Sequence, residues 1–514
     1  MIISSLLKIV DIFKNLLIAS QFGVSENADV FSTVIILPEY LLIFLGFDTL
    51  RGVVNSEYST WQIEKKNMEL YNSFVGISSL LIKVTPLLII ILIIFKTQVI
   101  SLLLPGFTGE KKKLAEVVLL IISPLVFFRS FIGFFQSLLN SFKSFYLPVI
   151  ATSLVSFTII FLIVFKLPTS ELLFNIAIGT LFGNLLFFMI IGVGSFKALS
   201  VNLEMSLSWR FFIKELFTFK VNKSTLKVIK SCYSLFFVVI ANVLFLGSKN
   251  YLASFFGDGM LSSINYASSI PTVITTLIFT SFFAYFLNRI ASIETLDNEN
   301  KQSLFFKTLT GMLFLITLLV SFLTVNAREV LEVLFHRGNF TEVGISLTYY
   351  PFIWEILSMI TFVITIIPTA FFIGVKKYSI LNKIGTILYL CGIVVCVIFS
   401  NLFGYAGISA GVFFTQLIYG VLLLYLVNKE IGGFFIYVKQ IVGIICVALI
   451  TMVIILGFKQ YILKVLIFPN LDFYIQSVLY VGILHITIFF IASHLFGIEY
   501  YKKITKNYFN KNEI

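Results

Sequence analysis

Pro86-Leu-Leu-Ile-Ile-Ile-Leu-Ile-Ile-Phe95 presents no polar side chain on any face. A strand crossing a membrane in a barrel alternates polar and apolar residues over about 10 positions, so this run excludes a barrel and reads as an apolar helix. Runs of the same kind recur from one end of the chain to the other. Of its 514 residues, 59% are hydrophobic and 12% charged, whereas soluble domains carry roughly 25% charged residues. Lipid is therefore the solvent for most of the chain. There, every backbone N–H and C=O is paired within its own segment, and a spanning helix needs about 20 apolar residues. The fold class that follows is an all-α polytopic membrane protein.

Apolar runs read against turn residues and charges place fourteen transmembrane helices, near 2–20, 28–50, 73–95, 114–140, 145–166, 171–196, 228–253, 260–287, 304–326, 343–373, 378–400, 404–427, 434–458 and 473–496. The N-terminal stretch holds Lys8, Asp11 and Lys14 and lacks a small-residue cleavage site, so it reads as the first span and not as a leader. Basic residues gather in alternate connections, among them Arg51, Lys65 and Lys66, the group from Lys197 to Lys230, Lys376 and Lys377, and the tail Lys502 to Lys511. The positive-inside bias then puts both termini in the cytoplasm. The net charge of +12 is a topology signal on this reading, and nucleic acid is not an expected partner. Residues 51–72 with Trp61, and 197–227 with Trp209, Phe211 and Phe212, read as amphipathic segments on the anionic leaflet. Cys232, Cys391, Cys396 and Cys446 show no metal-ligand spacing and read as core filler.

An internal repeat divides the chain. Leu17-Ile-Ala-Ser-Gln-Phe-Gly23, ending the first span, recurs as Tyr251-Leu-Ala-Ser-Phe-Phe-Gly257, ending the seventh. Leu103-Leu-Pro-Gly-Phe-Thr-Gly-Glu110 recurs as Phe335-His-Arg-Gly-Asn-Phe-Thr-Glu342. Both matches shift by six helices, an even number, so the repeats are parallel and related by an axis along the membrane normal. The expected organisation is an N-lobe over 1–196, a cytoplasmic amphipathic linker over 197–227, a C-lobe over 228–428, two further spans over 429–496 and a basic tail over 497–514. Two six-helix lobes of this kind enclose a central cavity suited to alternating access. Gly23 and Gly257 fit the left-handed conformation that ends a helix.

Ionisable residues inside spans cost several kcal/mol and are functional candidates for that reason. Lys8, Asp11 and Lys14 lie along one side of the first helix, and Asp29 and Glu39 mark the second. The repeat places Lys249 next to the position equivalent to Lys14, and two cations at similar depth suit a phosphate or pyrophosphate. The competing arrangement is self-compensation, with Asp11 paired to Lys8 and Lys14. Arg129 and Glu355 are either a buried pair, an ion-coupling site or substrate ligands. No phosphate-binding loop, zinc-protease motif or nucleophile elbow occurs, so a transporter is expected and not an enzyme. No cofactor is implied. The energy source would be an ion gradient or the membrane potential, at about 2.3 kcal/mol per charge per 100 mV.

Lys14-Asn-Leu-Leu-Ile-Ala-Ser-Gln-Phe-Gly23, Ala28-Asp29-Val-Phe31 and Leu37-Pro38 resemble the N-terminal signature of the MurJ/MviN lipid II flippase family. Leu104-Pro-Gly-Phe107, Leu138-Leu-Asn140 and Val333-Leu-Phe-His-Arg-Gly-Asn-Phe-Thr341 continue the resemblance in order over nearly the whole chain. It implies membership of the multidrug/oligosaccharidyl-lipid/polysaccharide exporter superfamily, a bacterial inner-membrane location and a cationic cavity for a polyprenyl-pyrophosphate-linked sugar. Lipid-linked glycan and bilayer are then the expected partners, and the chain is expected to be monomeric. By position, Lys8 and Lys14 stand where the family has cavity arginines, and Asp29 stands at its aspartate. Two family charges are absent: an arginine is lost within Tyr40-Leu-Leu-Ile-Phe44, and an Ala-Asp-Arg stands here as Ala267-Ser268-Ser269. Lipid II, a surface-polysaccharide repeat unit and, in the multidrug branch of the superfamily, a small molecule remain as candidate substrates.

Overall fold

The computed structural model describes residues 2–165, 172–203, 215, 222–232, 236–291, 298–375, 377–465 and 473–498. Most of the expected linker and the basic tail lie outside these residues. The described chain is helical, with no strand among the described residues. Its first ten helices are α1 (Ile2–Phe22), α2 (Glu26–Val34), α3 (Leu37–Phe44), α4 (Phe47–Ile63), α5 (Asn67–Ile94), α6 (Lys96–Leu103), α7 (Gly109–Ile122), α8 (Leu125–Ser141), α9 (Tyr146–Val164) and α10 (Leu172–Asn202). They are followed by α11 (Lys223–Cys232), α12 (Phe236–Ala253), α13 (Met260–Ala291), α14 (Asn298–Val325) and α15 (Ala327–Phe335). The last five are α16 (Glu342–Gly374), α17 (Tyr378–Phe403), α18 (Tyr405–Ile431), α19 (Phe434–Val465) and α20 (Phe473–Leu495).

Against the expected fourteen spans, 11 helices among the described residues are long and apolar enough to cross a bilayer, or 12 with one bent pair. The bent pair is α7 and α8, which meet at 48°. Pro124 stands at the break, where it lacks the N–H that a continuous helix would use. The expected first and eighth spans are also helices, α1 with 21 residues and α13 with 32. Lys8, Asp11 and Lys14 set α1 apart from the apolar spans. The expected second span is shorter than read: α2 and α3, with Pro38 in the first turn of α3, together make one candidate span over Glu26–Phe44, and α4 follows as a separate helix.

The reading of 51–72 as a lipid-surface anchor is corrected by α4. Val54, Tyr58 and Trp61 fall at i, i+4 and i+7 and form one apolar stripe. That stripe is buried with Leu70, Phe74, Phe134 and Leu138. The indole of Trp61 stacks on Tyr58 at 5.7 Å between centroids and is covered by Lys227 at 5.3 Å. Lys227 also pairs with Glu57 at 2.8 Å. The tryptophan therefore fastens α4 and α11 to the core and does not meet lipid headgroups.

The chain divides into two compact units. The first comprises Met1–Ile18, Val24–Ser262 and Tyr378–Ile393, and the second Ala19–Gly23, Ser263–Lys377 and Val394–Ile514. In the first, α9 packs along α10, α4 against α8 and α2 against α7. In the second, α16 packs along α18 and α14, and α19 joins α14 and α20. Gly23 and Gly257 both have positive φ, +59° and +95°, directly after the first and seventh expected spans.

Candidate functional site

A densely bonded charge in the first unit is Asp29. Its carboxylate is fully buried on α2, within a turn of the Ser25 N-cap. Oδ2 accepts from Lys111 Nζ at 2.8 Å and from the Gly259 N–H at 2.7 Å, and Oδ1 accepts from the Ser262 N–H at 2.7 Å. Gly259 and Ser262 flank the start of α13, where the first backbone N–H groups of a helix have no partner within it. Asp29 supplies that partner from a helix 230 positions away in sequence, and the negative charge also suits the helix N-terminus. Lys111, at the start of α7, reaches Asp258 Oδ1 at 2.7 Å with the same ammonium and lies 4.5 Å from the Phe107 ring centroid. Three chain segments, α2, α7 and the turn into α13, thus meet on one buried carboxylate. Such a carboxylate is stable while every donor is in place and costly once one is withdrawn.

Beside this tie the backbone is packed to contact. A Cβ on Gly106 would fall 1.8 Å from the Ser254 carbonyl oxygen, and the Gly106 N–H donates to Ser254 Oγ at 3.1 Å. In the second unit, a Cβ on Gly338 would fall 2.3 Å from the Ser20 carbonyl oxygen. There the Asn339 N–H donates to that oxygen at 2.8 Å and Asn339 Nδ2 donates to Gln21 O at 2.6 Å. The repeat makes Gly106 equivalent to Gly338, and Ser20 equivalent to Ser254. Each repeat's loop glycine therefore closes on the serine that ends the other repeat's first helix. The same two repeat positions, glycine and serine, are thus paired in each unit.

The remaining residues singled out by sequence fall in three groups. Lys8 Nζ lies 3.4 Å from Asp11 Oδ2, and Ser156 Oγ donates to Asp11 Oδ1 at 2.5 Å. Lys14 is half-buried in the field of Asp11, Lys8 and Arg129, and among the described residues it makes no hydrogen bond or ion pair of its own. Arg129 Nη1 pairs with Glu39 Oε2 at 3.1 Å and donates to Ile35 O at 3.2 Å, which fastens α8 to α3 and the turn before it. The structure thus gives Arg129 a partner other than Glu355. Glu355 instead accepts from Ser409 Oγ at 3.1 Å in the second unit. Lys249 is half-buried on α12 and engaged. Ser268 and Ser269 donate to the carbonyls of Asn265 and Tyr266 within α13, at 2.9 and 2.6 Å.

With this geometry in hand, the model of the lipid II flippase MurJ family matches residues 18–480. The chain belongs to the MurJ lipid II flippase family. Lipid II flippase MurJ of Thermosipho africanus (strain TCF52B) is 30% identical over 181 residues, 35% of this chain and 37% of that protein. A probable lipid II flippase MurJ of Buchnera aphidicola subsp. Schizaphis graminum is 24% identical over 392 residues, 74% and 72% of the two chains. A solved MurJ in an inward closed conformation superposes with a TM-score of 0.75 at 20% identity, covering 96% of this chain and 98% of the other. An inward-facing multidrug MATE transporter superposes with a TM-score of 0.64 at 13% identity, covering 83% and 94%. The two superpositions show a shared fold, and the family match, together with 11 helices among the described residues that are apolar and long enough to cross a bilayer, makes the chain a multi-pass membrane protein.

Set within the MurJ family, the tie at Asp29 involves two residues that the sequence reading passed over. In the sequence Lys111 is one of three adjacent lysines, Lys111 to Lys113. The available signal was helical register: Ala115, Val118, Leu119 and Ile122 mark the buried face of α7, and Lys111 continues it one turn earlier. Asp258 was visible only as the residue after the repeat motif ending in Gly257. Its neighbour Gly259 offers no capping side chain, and this vacancy is what Asp29 fills.

Proposed function

We propose that this chain flips lipid II, a polyprenyl-pyrophosphate-linked sugar, across the bacterial cytoplasmic membrane by alternating access, as a monomer with both termini in the cytoplasm. The family match through residues 18–480 carries the reading. The charge arrangement supports it. Lys14 is the one member of the Lys8, Asp11, Lys14, Arg129 and Glu39 cluster whose charge is left without a direct partner among the described residues. A lysine ammonium is a point charge suited to phosphate oxygens, so the pyrophosphate supplies the counter-charge that the fold withholds. Lys8 adds a second cation one turn and a half away on the same helix.

The Asp29 tie supplies the gate. It joins α2, α7 and the start of α13 through hydrogen bonds and ion pairs at one carboxylate, and polar contacts that water can replace suit an element with two arrangements. With the tie made, the passage is shut on that face; with it broken, α13 separates from α2. The membrane potential or an ion gradient would bias this equilibrium. The test is rescue of a strain depleted of its own lipid II flippase, with Lys14→Ala and Asp29→Asn tested alongside. Rescue by the unaltered chain and loss with Lys14→Ala support the reading. An expressed, inserted chain that fails to rescue rules out lipid II as the cargo. The Ser268 and Ser269 hydroxyls, where the family resemblance implies an aspartate and an arginine, favour in that case a related polyprenyl-linked surface glycan. Full rescue by Lys14→Ala removes the anion site.

A further inference from the structure

The loop that receives the end of α1 is bracketed by a second cluster of chemistry-bearing side chains. Glu332 and His336 stand one helical turn apart at the end of α15, and Glu342 opens α16. One ligand atom from each lies within 4.8 Å of the other two. Glu332 is the unusual member: its side chain is fully buried, yet neither carboxylate oxygen has a hydrogen-bond partner. His336 Nδ1 stands 2.7 Å from Glu332 Oε2 without making a hydrogen bond to it. A ring nitrogen and a carboxylate oxygen at that separation can serve as neighbouring ligands of a small cation, whose bonds to His nitrogen and carboxylate oxygen run about 2.0–2.2 Å.

Charge leads to the same conclusion. Glu332 and Glu342 set two carboxyl groups beside the His336 ring, with Arg328 alongside. Among the described residues, Arg328 is the guanidinium that pairs with the cluster, with Nη2 3.2 Å from Glu342 Oε2 and Nε 3.7 Å from Glu332 Oε1. More than half of its side chain is exposed, so it can swing clear. Two carboxylates and one imidazole form a mixed N/O set that suits zinc among the common divalent ions.

We infer that Glu332, His336 and Glu342 form a binding site for a divalent transition-metal ion of the zinc class, which displaces Arg328 and fastens α15 to α16. The intervening residues include Gly338 and Asn339, which hold Ser20 and Gln21, so metal stiffens the loop that clasps the end of α1. This inference stands apart from the transport reading, because its readout is metal content.

The test equilibrates the purified full-length protein in detergent with micromolar zinc chloride, then measures bound zinc by mass spectrometry and its effect on Tm. One zinc per chain and a zinc-dependent rise in Tm are expected for the unaltered protein. The same is expected for Glu110→Gln, which changes the repeat equivalent of Glu342. His336→Asn, at a half-exposed position that tolerates the change, should weaken zinc binding by at least ~10-fold, a loss that even altered outer-shell groups cause. Glu342→Gln should do the same, and Arg328→Gln should tighten binding. Absence of zinc from the folded, unaltered protein, or equal binding by His336→Asn and Glu342→Gln, overturns the site. Weaker binding by Arg328→Gln overturns the displacement of Arg328.

Discussion

The two loop-to-helix junctions share a backbone plan and differ in charge. At one, Gly106 closes on Ser254, and the neighbouring turn into α13 is held by Asp29 and Lys111. At the other, Gly338 closes on Ser20, and the neighbouring α2 is capped by its own Ser25, whose Oγ accepts from the Ala28 N–H at 3.4 Å. Extending the repeat alignment without gaps sets Gly259 opposite Ser25, Asp29 opposite Ser263 and Lys111 opposite Val343. One helix thus caps itself, and its counterpart borrows a carboxylate from another helix. A self-capped helix start is local and survives motion elsewhere. A borrowed cap is lost as soon as the lender moves, and that dependence makes the Asp29 junction the switchable one.

The largest effect is expected from Asp29→Asn. The amide keeps the shape but strands a mostly buried Lys111 with the exposed Asp258 alone, and breaking a buried pair costs about 3–5 kcal/mol. A fall in detergent Tm at least as large as that of any other variant is expected, together with loss of rescue in the depletion strain. An unchanged Tm would show that the tie contributes nothing and would erase the contrast between the junctions. Gly106→Ala and Gly338→Ala come next. Both force a methyl onto a backbone carbonyl, and overpacking of this kind costs about 1–3 kcal/mol. Gly338 has φ +58°, so alanine there adds left-handed strain of about 1–2 kcal/mol, which Gly106 avoids. Gly338→Ala should therefore melt lower than Gly106→Ala, unless the second junction is the looser of the two.

The sequence showed the plan of the junctions and missed their chemistry, for a physical reason. The repeat motifs aligned the glycines and serines because backbone contact leaves no tolerance for a side chain at Gly106 or Gly338. Asp29 was legible as a buried charge in an apolar stretch. Its partners were not, since Lys111 lies 82 residues away and Gly259 N 230 away, and only tertiary packing selects Lys111 from three adjacent lysines. Arg129 fails the same way: Glu39 lies 90 residues off, and span order gave no ground for choosing it over Glu355. Trp61 was misread because a tryptophan among charges looks alike at a lipid surface and at a buried helix contact.

A smaller effect is expected at Asn339. Its side-chain amide donates to Gln21 O at 2.6 Å, near the end of α1 where carbonyls lack helical partners. Asn339→Ala removes that bond and leaves the backbone bond to Ser20, so about 1 kcal/mol should be lost. The equivalent residue of the other junction is Phe107, which lies under the Lys111 ammonium. Phe107→Leu keeps an apolar side chain but removes the ring face, and a loss of roughly 0.5–2 kcal/mol is expected. A much larger loss at Asn339 than at Phe107 would place the greater side-chain contribution at the second junction.

Val343→Lys is the smallest change and tests the asymmetry most directly. It installs the equivalent of Lys111 in the second junction, where Ser263 and not an aspartate occupies the position equivalent to Asp29. Val343 is exposed, so the new ammonium stays hydrated and has no buried carboxylate to meet. A stability change within about 0.5 kcal/mol follows, as for most surface substitutions. If the tie at Asp29 depended on lysine at this register alone, Val343→Lys would stabilise the second junction measurably. If it depends on the buried carboxylate, the single change does nothing, and a gain should require Ser263→Asp in the same chain. Measuring Tm for the two single variants and the double variant separates these outcomes, because only a coupled pair departs from additivity.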